Sequence, residues 1–196
     1  MHRLVTGKAQ GRAPNRRQSA GFTLVELIVV LVLTGILASV AGARYFNRTG
    51  FDAATFADQG AAMLRYAQKL AIAQNRPVYV QASAQGIKLC YTANNPCGNA
   101  ERVAAPSGSN SGSAGTRAFC TGGGAYAQAW NCEGVPPGAT MSLSPATAAV
   151  FYFNGLGRPY VATDTADSSF TGLTLSISGG DISRTVSVSQ ETGYVF

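Results

Sequence analysis

Residues 22–43 read FTLVELIVVLVLTGILASVAGA: twenty-two residues, one charge (Glu26), and a stop at Arg44. A helix of that length rises about 33 Å, enough to cross a hydrocarbon core of about 30 Å. The 21 residues before it hold Arg3, Lys8, Arg12, Arg16 and Arg17 and no acid. Five positive charges before an apolar span place the leader on the cytoplasmic side of a membrane. Everything after residue 43 is then expected across the inner membrane, where disulfides persist.

The net charge of +6 belongs to this leader. Residues 22–196 hold ten bases against nine acids, so the body is nearly neutral and gives no electrostatic case for a general nucleic-acid binder. The 196-residue chain is 46% hydrophobic and only 12% charged, a balance that favours collapse over disorder. Its one histidine is His2, so the body has no Ser–His pair, Cys–His pair or His metal ligand. With no convergent carboxylate motif either, an enzyme is not expected, and no cofactor is implied.

Three readings compete for the apolar segment. Ala41-Gly42-Ala43 suits a cleaved secretory signal; the span also suits an uncleaved anchor. Neither gains from Glu26. A carboxylate in an apolar helix costs about 2.5–3.5 kcal/mol near the bilayer centre and less toward its edge. A helix that later packs beside a neighbour carrying a positive group recovers that cost. The third reading is such a helix.

The residues Gly21-Phe22-Thr23-Leu24-Val25-Glu26 resemble the processing site of type IV prepilins and type II secretion pseudopilins. That resemblance implies cleavage between Gly21 and Phe22 by a prepilin peptidase, and N-methylation of Phe22. It also implies a role in subunit assembly for Glu26, which would face the N-terminal amine of an adjacent subunit. The implied partners are the prepilin peptidase, other pilin or pseudopilin subunits, the inner membrane and an assembly platform protein. The implied location is the inner membrane, single pass with a periplasmic head, then a filament.

Beyond the apolar run, Asn47-Arg48-Thr49-Gly50 is a polar patch expected to loosen or bend the helix. Phe56, Met63, Ala67, Leu70 and Ala71 then fall on one face at helical spacing, with Arg65, Lys69 and Arg76 opposite. Asp52 or Thr55 suits a second helix start, and Pro77 ends the helix. Residues 78–82 and 87–91 read as a hairpin, and 92–134 as a long, largely irregular loop rich in Gly, Ser and Asn. Short strands follow at 140–144, 150–153, 160–162, 173–178 and 182–189, with 193–196 as a closing edge strand.

The expected fold is therefore α+β: a long N-terminal helix, half transmembrane and half amphipathic, packed on an antiparallel β-sheet head. The expected segments are a cleaved basic leader (1–21), a membrane or filament-core helix (22–43), an amphipathic helix half (44–76) and a β-rich head (77–196) holding the Cys-rich loop 92–134.

FDAATFADQGAAMLRYAQKLAIAQNRPVYV (51–80), VFYFNGLGRP (150–159) and RTVSVSQETGYVF (184–196) resemble minor pilins and pseudopilins of the GspH/FimT type. Within that type the chain is most similar to the minor pilin C group of mannose-sensitive haemagglutinin-type pili. The similarity is carried by Phe51-Asp52, Tyr66-Ala67-Gln68-Lys69 and Glu191-Thr192-Gly193. Some FimT-type pilins bind DNA through basic residues near the C-terminus. This chain departs from that pattern, with no base after Arg184, which weighs against nucleic acid as a partner. A DNA-uptake pilin and an adhesive tip subunit are the alternative readings.

Cys90, Cys97, Cys120 and Cys132 lack the close pairs or His partners of a zinc site, so disulfides are expected. Of three connectivities, Cys90–Cys97 with Cys120–Cys132 is favoured because each closes a short local loop. Asp164 and Asp167 lack calcium-loop spacing and read as a solvated turn, so no metal site is expected. Gly122-Gly123-Gly124 lacks the Lys and Ser/Thr of a phosphate loop. Phe119, Tyr126 and Trp130 suit either an exposed aromatic contact or a small satellite core.

Overall fold

A computed structural model describes residues 22–196; the leader, Gly21 included, lies outside the described residues. Helix α1 runs Leu24–Gln74. Strands β1 (Val78–Ser83), β2 (Gly86–Cys90), β3 (Cys132–Gly134), β4 (Ala139–Ser144), β5 (Val150–Phe153), β6 (Pro159–Val161), β7 (Leu173–Gly179) and β8 (Ile182–Val188) follow, with helix α2 (Ala114–Phe119) between β2 and β3. The described residues divide into two units, 22–41 and 42–196.

Thr23 starts α1. Its hydroxyl accepts the Glu26 amide at 3.1 Å, and its carbonyl accepts the Leu27 amide. Thr23 thus caps the helix with a glutamate three residues on, the spacing of a capping box. The helix stops just before Pro77. Asn75 turns left-handed (φ 46°), its amide donates to the Ile72 carbonyl, and the Arg76 amide donates to the Ala71 carbonyl. This satisfies carbonyls that the helix end would orphan.

The expected loosening at residues 47–50 does not occur; the helix is unbroken there. Gly50 has a packing role instead. A Cβ built on it would lie 3.1 Å from the Ile182 side chain and 3.3 Å from the Gly179 carbonyl. Across that contact, a Cβ on Gly179 would stand 2.6 Å from the Thr49 carbonyl and 2.8 Å from the Ala53 Cβ. Two glycines let helix and hairpin end touch backbone to backbone.

The core is built on the amphipathic stripe. Phe56, Met63, Leu64, Ala67 and Ala71 are buried, joined by Ala53, Ala57 and Ala61; Leu70 is only half-buried at the edge. Facing them are alternate residues of the strands: Val78 and Val80, Ile87 and Leu89, Phe151 and Phe153, Leu173, Leu175 and Ile177. The period of 3.6 on the helix meets the period of 2 on the strands.

The head holds two sheets rather than the single one expected. One is five-stranded in the order β3-β2-β1-β5-β6; the other is three-stranded, β4-β7-β8. Every pairing among these strands is antiparallel. β6 is only three residues long, and the chain leaves it into a turn closed by Asp164 before entering β7, which pairs with β4 and β8. The terminal segment 193–196 pairs with β8 through a Val188–Val195 bridge and two Ser187–Phe196 backbone hydrogen bonds. Arg65, placed opposite the core stripe, reaches it too: its guanidinium donates to the Val195 carbonyl at 3.2–3.3 Å.

Replacing Gly179 by Ala is expected to destabilise the head by about 1–3 kcal/mol, because the added methyl meets backbone that cannot move alone. Gly35→Ala has open space around the new methyl and is the control. Thermal unfolding of the two variants separates the cases: Tm falls for the first and holds for the second.

Candidate functional site

Two regions carry the candidate residues: the apolar half of α1 and the disulfide-held loop. In the first, Phe22 is 83% exposed, and Leu24, Val25, Leu27, Ile28, Leu31 and Leu37 are all more than half exposed. The window Leu24–Ala41 has a mean hydropathy of 2.6 with none of it buried, long and apolar enough to cross a membrane. Its hydroxyls need no outside partner. Thr34 Oγ1 donates to the Val30 and Leu31 carbonyls, and Ser39 Oγ to the Ile36 carbonyl. Glu26 is different: among the described residues no group pairs with its carboxylate. The Thr23 cap fixes it in the first helical turn, one turn from Phe22. That cap was readable as Thr-x-x-Glu before an apolar run, a signal the sequence analysis did not use.

The loop 92–134 is more ordered than its composition suggests. Cys90 bonds to Cys97 and Cys120 to Cys132, the pairing favoured by spacing, and no described cysteine is free. In the chain-entropy view each short ring contributes about 2–3 kcal/mol. The two bridges and Trp130 form a second core, with Phe119, Tyr126 and Ala127 packed against it. Trp130 is 2% exposed, and its indole N–H donates to the Leu89 carbonyl at 2.8 Å. The aromatic trio is thus a satellite core.

Glu133 ties the loop to β3, which the sequence analysis missed. Buried at 7% exposure, its carboxylate accepts from the Ser111 amide (2.7 Å), the Ser111 hydroxyl and the Thr116 hydroxyl (2.7 Å). Thr116 Oγ1 also accepts the Gly134 amide at 3.1 Å. The cluster forms because α2 lies against β3 with almost no side chain between them: a Cβ on Gly115 would collide with the Val135 and Gly134 carbonyls. No spacing rule links residue 133 to residues 111 and 116; the fold brings them together.

Asp164 is occupied within its own turn. One carboxylate oxygen accepts the Val161 amide (2.7 Å) and the Ser169 amide (2.9 Å), the other the Ser169 hydroxyl (2.6 Å). The Ser169 hydroxyl contributes most to holding its carboxyl below the ordinary value, against some desolvation; the two amides add to the lowering. No group of three or more potential metal ligands occurs among the described residues.

Residues 16–42 match the prokaryotic N-terminal methylation motif, which takes in Gly21, Phe22 and Glu26. No curated protein matches the chain. Among solved structures, two crystal forms of the type IV minor pilin FimU of Pseudomonas aeruginosa PAO1 are similar, each at 18% identity. One covers 72% of this chain and 89% of its own with a TM-score of 0.41. The other covers 76% and 87% with a TM-score of 0.42.

Glu133→Ala leaves the buried Thr116 hydroxyl and the Ser111 groups without their charged acceptor. A loss of about 3 kcal/mol is expected, with faster amide exchange over 111–119 and little change in β7 and β8. For Asp164 the sign follows from its lowered carboxyl. Its support of the 161–169 turn is complete above the ordinary aspartate value of 3.8 and fades as pH falls through the lower folded-state value. An NMR pH titration should place the Asp164 midpoint below 3.8, with Val161 and Ser169 amides shifting together with it.

Proposed function

We propose that this chain is a type IV minor pilin-like subunit, processed by prepilin peptidase and assembled with other pilin-type subunits into a filament. The observation that supports this most is the N-terminal methylation motif over residues 16–42, laid on an apolar helix whose only charge is Glu26. In this reading residues 1–21 are the cleaved leader, Phe22 is the methylated N-terminus, 22–43 is the membrane and filament-core helix, 44–76 the amphipathic half, and 77–196 a periplasmic head. The finer assignment is a GspH/FimT-type subunit, nearest the minor pilin C group, acting in initiation or at the tip. It works by position and does no chemistry of its own.

The mechanism is transfer of a helix between two apolar surroundings. Removing the leader removes five positive charges that hold the chain to the cytoplasmic face. The exposed helix then leaves lipid for a bundle of like helices at little hydrophobic cost. Glu26 and a neighbour's Phe22 amine neutralise each other there, offsetting the cost of a carboxylate in an apolar medium and fixing subunit register. Internally bonded Thr34 and Ser39 make no competing polar demand.

The DNA-uptake alternative has little to work with. The terminal segment after Arg184 has no base; Arg158, on the β5–β6 turn, is paired with Glu191 at 3.1 Å, and Arg65 is bonded to the Val195 carbonyl. Phosphate binding needs clustered free positive charge.

Intact mass and N-terminal sequencing of membrane-extracted protein are expected to give Phe22 carrying one extra methyl group. A start at Arg44, or retention of the leader, overturns the reading. Glu26→Ala is expected to insert into membrane normally but enter filaments about tenfold less often or worse, since a pairing of even 1.4 kcal/mol is worth that factor. Normal incorporation sinks the register role of Glu26.

A further inference from the structure

Lys88, on β2, is a buried charge without a counter-charge. It is 8% exposed, and its ammonium makes one hydrogen bond, to Asn95 Oδ1 at 2.6 Å. Its remaining N–H groups find no acceptor among the described residues. The Phe119 and Trp130 rings lie 5.3 and 5.8 Å away. The charge that acts on it is another cation, Arg102, whose guanidinium sits 4.5 Å over the same Trp130 ring. Burial first, then Arg102, lowers the Lys88 ammonium below the ordinary lysine value. An arrangement that disfavours its own charge binds an anion more readily than one already paired.

That lysine lines an open groove of about 700 Å³. It is the only charged residue of the lining, which mixes the polar Gln85 and Thr121 with Phe119, Pro96, Pro136 and Pro137. The walls are held in place before any ligand arrives. Pro96 lies inside the Cys90–Cys97 ring and Thr121 to Gly123 inside the Cys120–Cys132 ring. Gly122 and Gly123 line the groove, and their amides donate to no group among the described residues.

We propose that this groove is a binding site for a compact oxyanion carried on an uncharged body, with Lys88 as its anchor and the two disulfide rings as its fixed walls. Phosphate and carboxylate share the recognised chemistry: oxygens that accept from an ammonium and from backbone amides. One cation in the groove suits a single anionic group; a polyanion would need a track of positive charge.

The test uses the full-length protein in detergent with both disulfides intact, titrated separately with inorganic phosphate and with glucuronate. Reductive dimethylation followed by peptide mass mapping reads the site without any variant. Saturating anion is expected to slow modification of Lys88 at least fivefold and to leave Lys69, exposed on α1, unchanged. Calorimetry is expected to give one saturable site, weakened at least tenfold by Lys88→Met and retained by Lys88→Arg. Protection by both probes assigns the site to any free oxyanion; protection by glucuronate alone assigns it to an anion borne on a sugar ring. Equal protection of Lys88 and Lys69, or no protection with either probe, overturns the proposal. Should Lys88→Met fail to fold, the footprinting of the unaltered protein decides alone.

Discussion

The buried face of the amphipathic half of α1 is the constraint on which the head depends. Neither sheet closes a core alone: β1, β2 and β5 present one set of alternate apolar side chains and β7 another, and Phe56, Leu64, Ala67 and Ala71 fill the space they leave. Alanines at 53, 57, 61, 67 and 71 keep the helix surface low, so strands and turns approach closely. Where even alanine is too large, glycine appears, at Gly50 against Ile182 and at Gly179 against Thr49. Burial of such a face, at about 25 cal/mol per Å² of apolar area, is the main favourable term available to a nearly neutral head.

The same helix has a second half of the opposite character. From Leu24 to Ala41 it buries nothing. That stretch is long and apolar enough to cross a membrane; its hydroxyls return to the helix backbone, and the first turn is closed by Thr23. Of the polar side chains between Leu24 and Ala41, Glu26 alone has no partner among the described residues. Local chemistry partners the other polar side chains of this stretch; in the proposed reading a neighbouring subunit's amine is the partner of Glu26.

The disulfide-held loop follows a third logic. Its own core is small, built on two short rings and one tryptophan, and one carboxylate fastens it to β3. Across the β2–β3 pair Glu133 lies opposite Ile87 and Lys88 opposite Cys132; both charged residues are buried and treated differently. The carboxylate is given three donors, the ammonium one acceptor and a cationic neighbour. One charge is used to fasten the loop and the other is left available.

Much of the molecule was legible in the chain because the deciding interactions are local. The apolar run, its single acid, the Pro77 stop, the 3.6-period stripe from Phe56 to Ala71 and the strand alternation all act over a few residues. The cysteine pairing was favoured for the same reason, since both rings span short stretches. The continuity of α1 through Asn47-Arg48-Thr49-Gly50, the division into two sheets, and the clustering of Ser111, Thr116 and Glu133 were decided by contacts far apart in sequence. Polar residues there signal a bend or a loop in isolation. Only the packed head supplies the partners that make a helical glycine a close contact and a loop glutamate a clasp.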